Sequence, residues 1–133
     1  MSVTNRIRTM GHLILALSLW CAACTQRPKM MQADKSFDGR DLTMNVGDTV
    51  ELSLAENPTT GFRWDFASKP EPVCTIAKDA FDAGTGSLGK GGIHRWEFQA
   101  VQAGTGTVKL EYRRPWEKDT PAADKFSLTL RLK

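Results

Sequence analysis

The sequence predicts an all-β domain, an antiparallel sandwich of about seven strands, and three observations carry that expectation. Apolar residues recur at every second position in one short run after another, glycine, proline and polar clusters separate the runs, and no stretch sustains a helical period. About seven such runs within the 100 residues from Asp34 to Lys133 fit one immunoglobulin-like sandwich and leave no room for a second domain.

The runs follow in order. Leu42, Met44 and Val46 form the first, Gly47-Asp48 turns the chain, and Val50, Leu52 and Leu54 form the second. Phe62, Trp64 and Phe66 make the third, and Cys74 to Ala77 a weaker fourth. Trp96, Phe98 and Ala100 give the fifth, Val108, Leu110 and Tyr112 the sixth, and Phe126, Leu128, Leu130 and Leu132 the seventh. Trp64 and Trp96 keep phase with the inward residues and are expected in the core, with Tyr112 packing nearby. If the strands run alternately up and down, three connections share one end of the sandwich: Glu56 to Gly61, Lys78 to Gly92, and Arg114 to Asp124.

The N-terminus reads as a leader. Arg6, Arg8 and His12 precede an apolar run from Leu13 to Trp20, too short for a membrane-spanning helix before Thr25, Gln26 and Arg27. Cys21-Ala22-Ala23-Cys24 resembles a bacterial lipobox, although Cys21 stands where leucine is usual. That resemblance implies cleavage before Cys24, lipidation of Cys24, and a cell-envelope location; Thr25 in place of aspartate suggests the outer membrane. The alternative is ordinary cleavage near Ala23, releasing a soluble protein. The expected organisation is a signal over 1–23, a flexible tether over 24–34, polar and aperiodic with Pro28, and the domain over 35–133.

Two of the eighteen basic residues lie in the leader and none of the fifteen acidic ones does, so the remainder carries a net charge of +1 with histidine neutral. Nothing there calls for nucleic acid or an anionic membrane surface, and any membrane contact is expected through the Cys24 anchor alone. Beyond the lipobox only Cys74 remains, in the apolar run Val73-Cys74-Thr75-Ile76, so no disulfide within the chain supports the fold and the thiol is expected buried and inert. His94 is the single histidine outside the leader and is expected to be solvated. No Cys/His or Ser/His arrangement marks a catalytic centre, no ligand set suggests a metal or cofactor, and an enzyme is not expected.

The three co-located connections carry the unusual residues. Asn57-Pro58-Thr59-Thr60-Gly61 is a polar loop stiffened by Pro58, with Gly61 free to take a positive φ. In the second connection, Gly84-Thr85-Gly86-Ser87-Leu88-Gly89 spells a dinucleotide-binding pattern, but a strand pattern from Ile93 follows where that motif needs a helix N-terminus. The remainder, Gly89-Lys90-Gly91-Gly92, leads into the fifth run. The third begins Arg113-Arg114-Pro115-Trp116-Glu117, where Trp116 falls outside the alternating pattern and either folds back as a lid over the sandwich end or stands as an anchor for a partner.

Together, NPTTG, GKGG and RPW resemble the chagasin-type inhibitors of papain-like cysteine peptidases, a likeness running from Asp41 to Leu132 and including DLTMNVGDTVEL and KLEY. That resemblance implies a reversible, non-covalent inhibitor, expected as a monomer, whose partner is a papain-like peptidase of the cathepsin L type. It implies that Asn57, Pro58, Thr59, Thr60 and Gly61 enter the active-site cleft, flanked on one side by Gly89, Gly91 and Gly92 and on the other by Arg114, Pro115 and Trp116. The residues themselves leave a second reading open, an adhesion or assembly module of the envelope using the same loop end.

Overall fold

The computed structural model describes residues 26–84 and 89–133; the leader, Cys24 and the centre of the second connection, 85–88, lie outside the described residues. Among the described residues, eight strands form two four-stranded sheets: β1 (Met30–Ala33), β2 (Arg40–Met44), β3 (Thr49–Glu56), β4 (Arg63–Ser68), β5 (Cys74–Asp82), β6 (Gly92–Ala100), β7 (Gly104–Arg113) and β8 (Asp124–Leu132). One sheet has the order β1-β3-β6-β5 and the other β2-β8-β7-β4. The all-β sandwich is as the alternation predicts. Val50, Leu52 and Leu54 of β3, Trp96, Phe98 and Ala100 of β6, Val108 and Leu110 of β7, and Phe126 to Leu132 of β8 send alternate side chains into one shared core.

Three expectations need correction. The tether was expected to reach Asp34, but Met30–Ala33 is a strand, paired in parallel with β3 from Met30↔Thr49 to Ala33↔Leu52. It buries only Ala33, so no alternation announces it; pairing with the edge of β3 makes it a strand. The sandwich is not wholly antiparallel, because β2 also pairs in parallel with β8. Both parallel pairs arise where the chain changes sheets between β1 and β2, through a 3₁₀ turn at Lys35–Phe37 that Asp34 caps. Finally, Val46 lies outside β2, exposed in the turn before β3.

That turn is tied by Asp48, whose carboxylate accepts from the amides of Lys29 (2.9 Å) and Asn45 (3.0 Å). These two bonds, Lys29's first, hold its carboxyl below the usual carboxylate range and fasten the start of β1 to the β2–β3 turn. Cys74 is fully buried, and burial pushes its thiol up to about 11, as the inert reading requires.

Candidate functional site

Strand register gathers the three connections. β3 ends at Glu56 opposite Gly92, the first residue of β6, and β4 begins at Arg63 opposite Arg113, the last of β7. The connections β3–β4, β5–β6 and β7–β8 therefore leave from one end.

The first is shaped by its own residues. Pro58–Thr60 form a single 3₁₀ turn with proline in its first turn, and Asn57 caps it: the Asn57 Oδ1 accepts from the Thr59 amide (3.3 Å) and the Thr59 hydroxyl (2.5 Å). The Asn57 carbonyl accepts from the Thr60 amide (3.2 Å) and hydroxyl (2.6 Å). Gly61 closes the turn at φ +83°, donating to the Pro58 carbonyl at 2.9 Å. The backbone is thus held by internal bonds, with Thr59 and Thr60 exposed at the tip.

The second connection is shorter than expected. Lys78 to Asp82 continue β5 and pair with Glu97 to Ile93; a register shift between Ile76 and Lys78 breaks the alternation, so sequence periodicity ends there while the strand does not. Of the dinucleotide-like motif, Gly84 and Gly89 are described, with φ of +66° and +90°, and the next element is strand β6. Asn57 Nδ2 donates to the Gly89 carbonyl at 3.0 Å. Gly91, at φ +70°, lies so close to the first connection that an added Cβ would sit 2.6 Å from the Glu56 carbonyl, and one on Gly92 would sit 1.9 Å from the Asp82 carbonyl. Gly91 lets the second connection lie against the first, and Gly92 lets the two ends of the second connection close on each other.

Arg114 joins the third. Its Nε donates to the Thr60 carbonyl at 3.0 Å, its Nη1 pairs with Glu117 at 3.2 Å, and its guanidinium lies 4.5 Å from the centre of the Phe62 ring. Trp116 is 68% exposed, and the tip of its indole meets Gly61 where an added Cβ would be 2.4 Å away. It is therefore no lid over the core. Asn57, Pro58, Thr59, Thr60, Gly61, Gly89, Gly91, Arg114 and Trp116 form one continuous edge, with exposed Pro115 in the turn between Arg114 and Trp116 and Gly92 at its base.

Two supports beneath this edge escape the sequence reading. Tyr112 stacks on Phe62 (5.3 Å between centres) and packs at a tilt against Trp64 (4.9 Å), and its hydroxyl accepts from the Asn57 amide at 3.0 Å. His94, expected in solvent, is only 15% exposed; Nδ1 lies 2.8 Å from Glu56 Oε2, Nε2 lies 2.5 Å from Asp79 Oδ1, and the ring stacks on Trp96 at 4.0 Å. Glu56 is buried, and its Oε2 also accepts from the Trp64 amide at 3.3 Å. Its signal was present: position 56 continues the inward phase of Val50, Leu52 and Leu54, so an acid there needs a partner. With both ring nitrogens facing carboxylates, His94 has none left to serve as a base toward a substrate, and the trio clamps β3, β5 and β6 together at the root of the edge.

A two-sheet sandwich whose three connections are hydrogen-bonded into one edge is a protein of immunoglobulin-like architecture. The chain belongs to the chagasin family of peptidase inhibitors: the model of the chagasin family peptidase inhibitor I42 matches residues 43–130. It is 35% identical to chagasin of Trypanosoma cruzi over 102 residues, covering 73% of this chain and 93% of that protein. Amoebiasin-1 of Entamoeba histolytica is 33% identical over 102 residues, 77% of this chain and 97% of the relative. The crystal structure of a cysteine protease inhibitor from Entamoeba histolytica superposes with a TM-score of 0.71 at 21% identity, covering 80% of this chain and 98% of that one, a likeness of fold.

Proposed function

We infer that the protein is a reversible, non-covalent inhibitor of papain-like cysteine peptidases, acting as a monomer. Asn57 to Gly61 enter the active-site cleft, Gly89, Gly91 and Gly92 brace one wall, and Arg114, Pro115 and Trp116 brace the other. The observation that carries this reading is the hydrogen-bonded continuity of the three connections, Gly89 to Asn57 and Thr60 to Arg114, in a chain of this family. An edge already fixed by internal bonds loses little conformational entropy on docking. A 3₁₀ turn is also a poor substrate: its peptides are curled and bonded to one another, whereas hydrolysis needs a peptide aligned for attack. A protease–inhibitor interface of standard dimensions buries about 1,600 Å² in total, and exposed Trp116 is the apolar anchor of this one.

The leader supports a further part of the proposal: lipidation at Cys24 holds the inhibitor in the cell envelope, at the outer membrane. A target is then an endogenous secreted peptidase or a foreign one that reaches the cell. Titration of papain and a cathepsin L-type peptidase with the purified protein tests the inhibition, and the mass of the processed N-terminus tests the anchor. An unacylated Cys24 or a free Thr25 at that terminus contradicts lipidation.

A further inference from the structure

We propose that Tyr112 is a positioning residue for the inhibitory edge, setting the first and third connections relative to each other without touching the peptidase. The proposal rests on the inhibitor reading for its effect on inhibition, and on geometry alone for its effect on the free protein. Tyr112 is the next-to-last residue of β7, across the pair from Trp64 of β4. It keeps the inward phase of Val108 and Leu110 but lies where the core gives out, so its side chain is half-buried. Its hydroxyl reaches from one sheet to the end of the other and accepts the amide of Asn57, the residue that follows β3.

That amide has no backbone acceptor among the described residues. It belongs to the cap residue of the 3₁₀ turn, outside the turn's own bonds, so the Tyr112 hydroxyl supplies what the local sequence cannot. The same ring supports the third connection: Tyr112 stacks on Phe62, Phe62 carries the Arg114 guanidinium, and Arg114 returns to the Thr60 carbonyl. The circuit Asn57–Tyr112–Phe62–Arg114–Thr60 closes through one side chain. Its two halves are separable, the hydroxyl holding the cap of the first connection and the ring holding the base of the third.

A residue that positions the edge raises the fraction of molecules ready to dock, and its loss lowers apparent affinity by that fraction. The association rate constant should therefore fall while the dissociation rate constant stays, because the contacts of the docked state are unchanged. Loss of a direct contact does the reverse. Tyr112→Phe removes only the hydroxyl, and losing one such hydrogen bond shifts the balance between ready and unready edges by about fivefold, which is the upper limit of the fall in association rate.

The experiment is stopped-flow inhibition of papain by the parent and Tyr112→Phe proteins, with amide NMR of both in the free state. Expected are slower association, unchanged dissociation, and displaced Asn57 and Thr59 amide resonances. Phe62→Leu is the second variant; it should displace Arg114 and Trp116 resonances while leaving the Asn57 amide in place. Faster dissociation with unchanged association in Tyr112→Phe overturns the proposal, as does an unmoved Asn57 amide. If the parent itself fails to inhibit, the inhibitor reading fails, and the NMR arm still decides whether Tyr112 holds the edge.

Discussion

Gly61→Ala is the substitution that separates the shape of the edge from the stability of the fold. Gly61 sits at φ +83°, where a residue with a Cβ costs about 1–2 kcal/mol. Its added methyl carbon would also stand 2.4 Å from Trp116 Cη2. Ordinary carbon–carbon contact is about 3.5 Å, so the indole must retreat by about 1 Å or more; being 68% exposed, it can do so without disturbing the core. Stability should therefore fall only by the backbone term, lowering Tm by about 5–15 °C for a domain of this size. Inhibition should suffer more. A displaced aromatic anchor worth about 2 kcal/mol corresponds to a roughly thirtyfold rise in Ki. Gly47→Ala is the control: φ is +99°, nothing lies within 4 Å of the added Cβ, and the β2–β3 turn is at the opposite end. Calorimetry and inhibition assays on both variants should give similar losses of Tm and a rise in Ki for Gly61→Ala alone. Equal Ki values for the parent and Gly61→Ala, or equal rises for the two variants, would show that the placement of Trp116 by Gly61 has no part in inhibition.

Trp116→Ala should raise Ki at least tenfold while leaving Tm nearly unchanged, because the side chain covers so little of the core; a large fall in Tm would restore the lid. His94→Ala should remove the partner of the buried Glu56 carboxylate and destabilise the fold by about 3 kcal/mol, read as a shift in urea midpoint. Cys74 should resist iodoacetamide at pH 8 in the folded protein and react once it is unfolded, since burial holds the thiol up at about 11. The folded state keeps this proton to higher pH than the unfolded one, so the contribution is intact below about pH 9 and is lost as pH rises toward 11. Urea midpoints measured across that interval should fall.

The core strands were legible because burial on one face enforces a period of two, and Val50 to Leu54 or Phe126 to Leu132 carry it without a break. The turn Asn57 to Gly61 was legible for a different reason: cap, proline and left-handed glycine act within five residues. What escaped depends on partners far along the chain. Met30–Ala33 becomes a strand only against β3, and the β5 bulge hides Lys78 to Asp82 from any periodic reading. The Glu56–His94–Asp79 clamp joins three strands, so no local pattern exposes it, though an acid in the inward phase of β3 was a sign of it. Tyr112 read as core because its phase is that of core; its reach to Asn57 follows from the packing of its sheet on the one that holds β3.

Whether this edge occupies the cleft of a papain-like peptidase is decided by active-site titration. Increasing amounts of the purified protein are added to a known concentration of active papain, residual hydrolysis is followed, and the inhibitor is recovered for mass analysis. Hydrolysis should fall to zero near one inhibitor per enzyme, with full activity returning on dilution and the Asn57–Gly61 segment recovered uncut. Undiminished hydrolysis at micromolar inhibitor across papain and cathepsin L-type enzymes would contradict that occupancy, as would cleavage between Asn57 and Gly61.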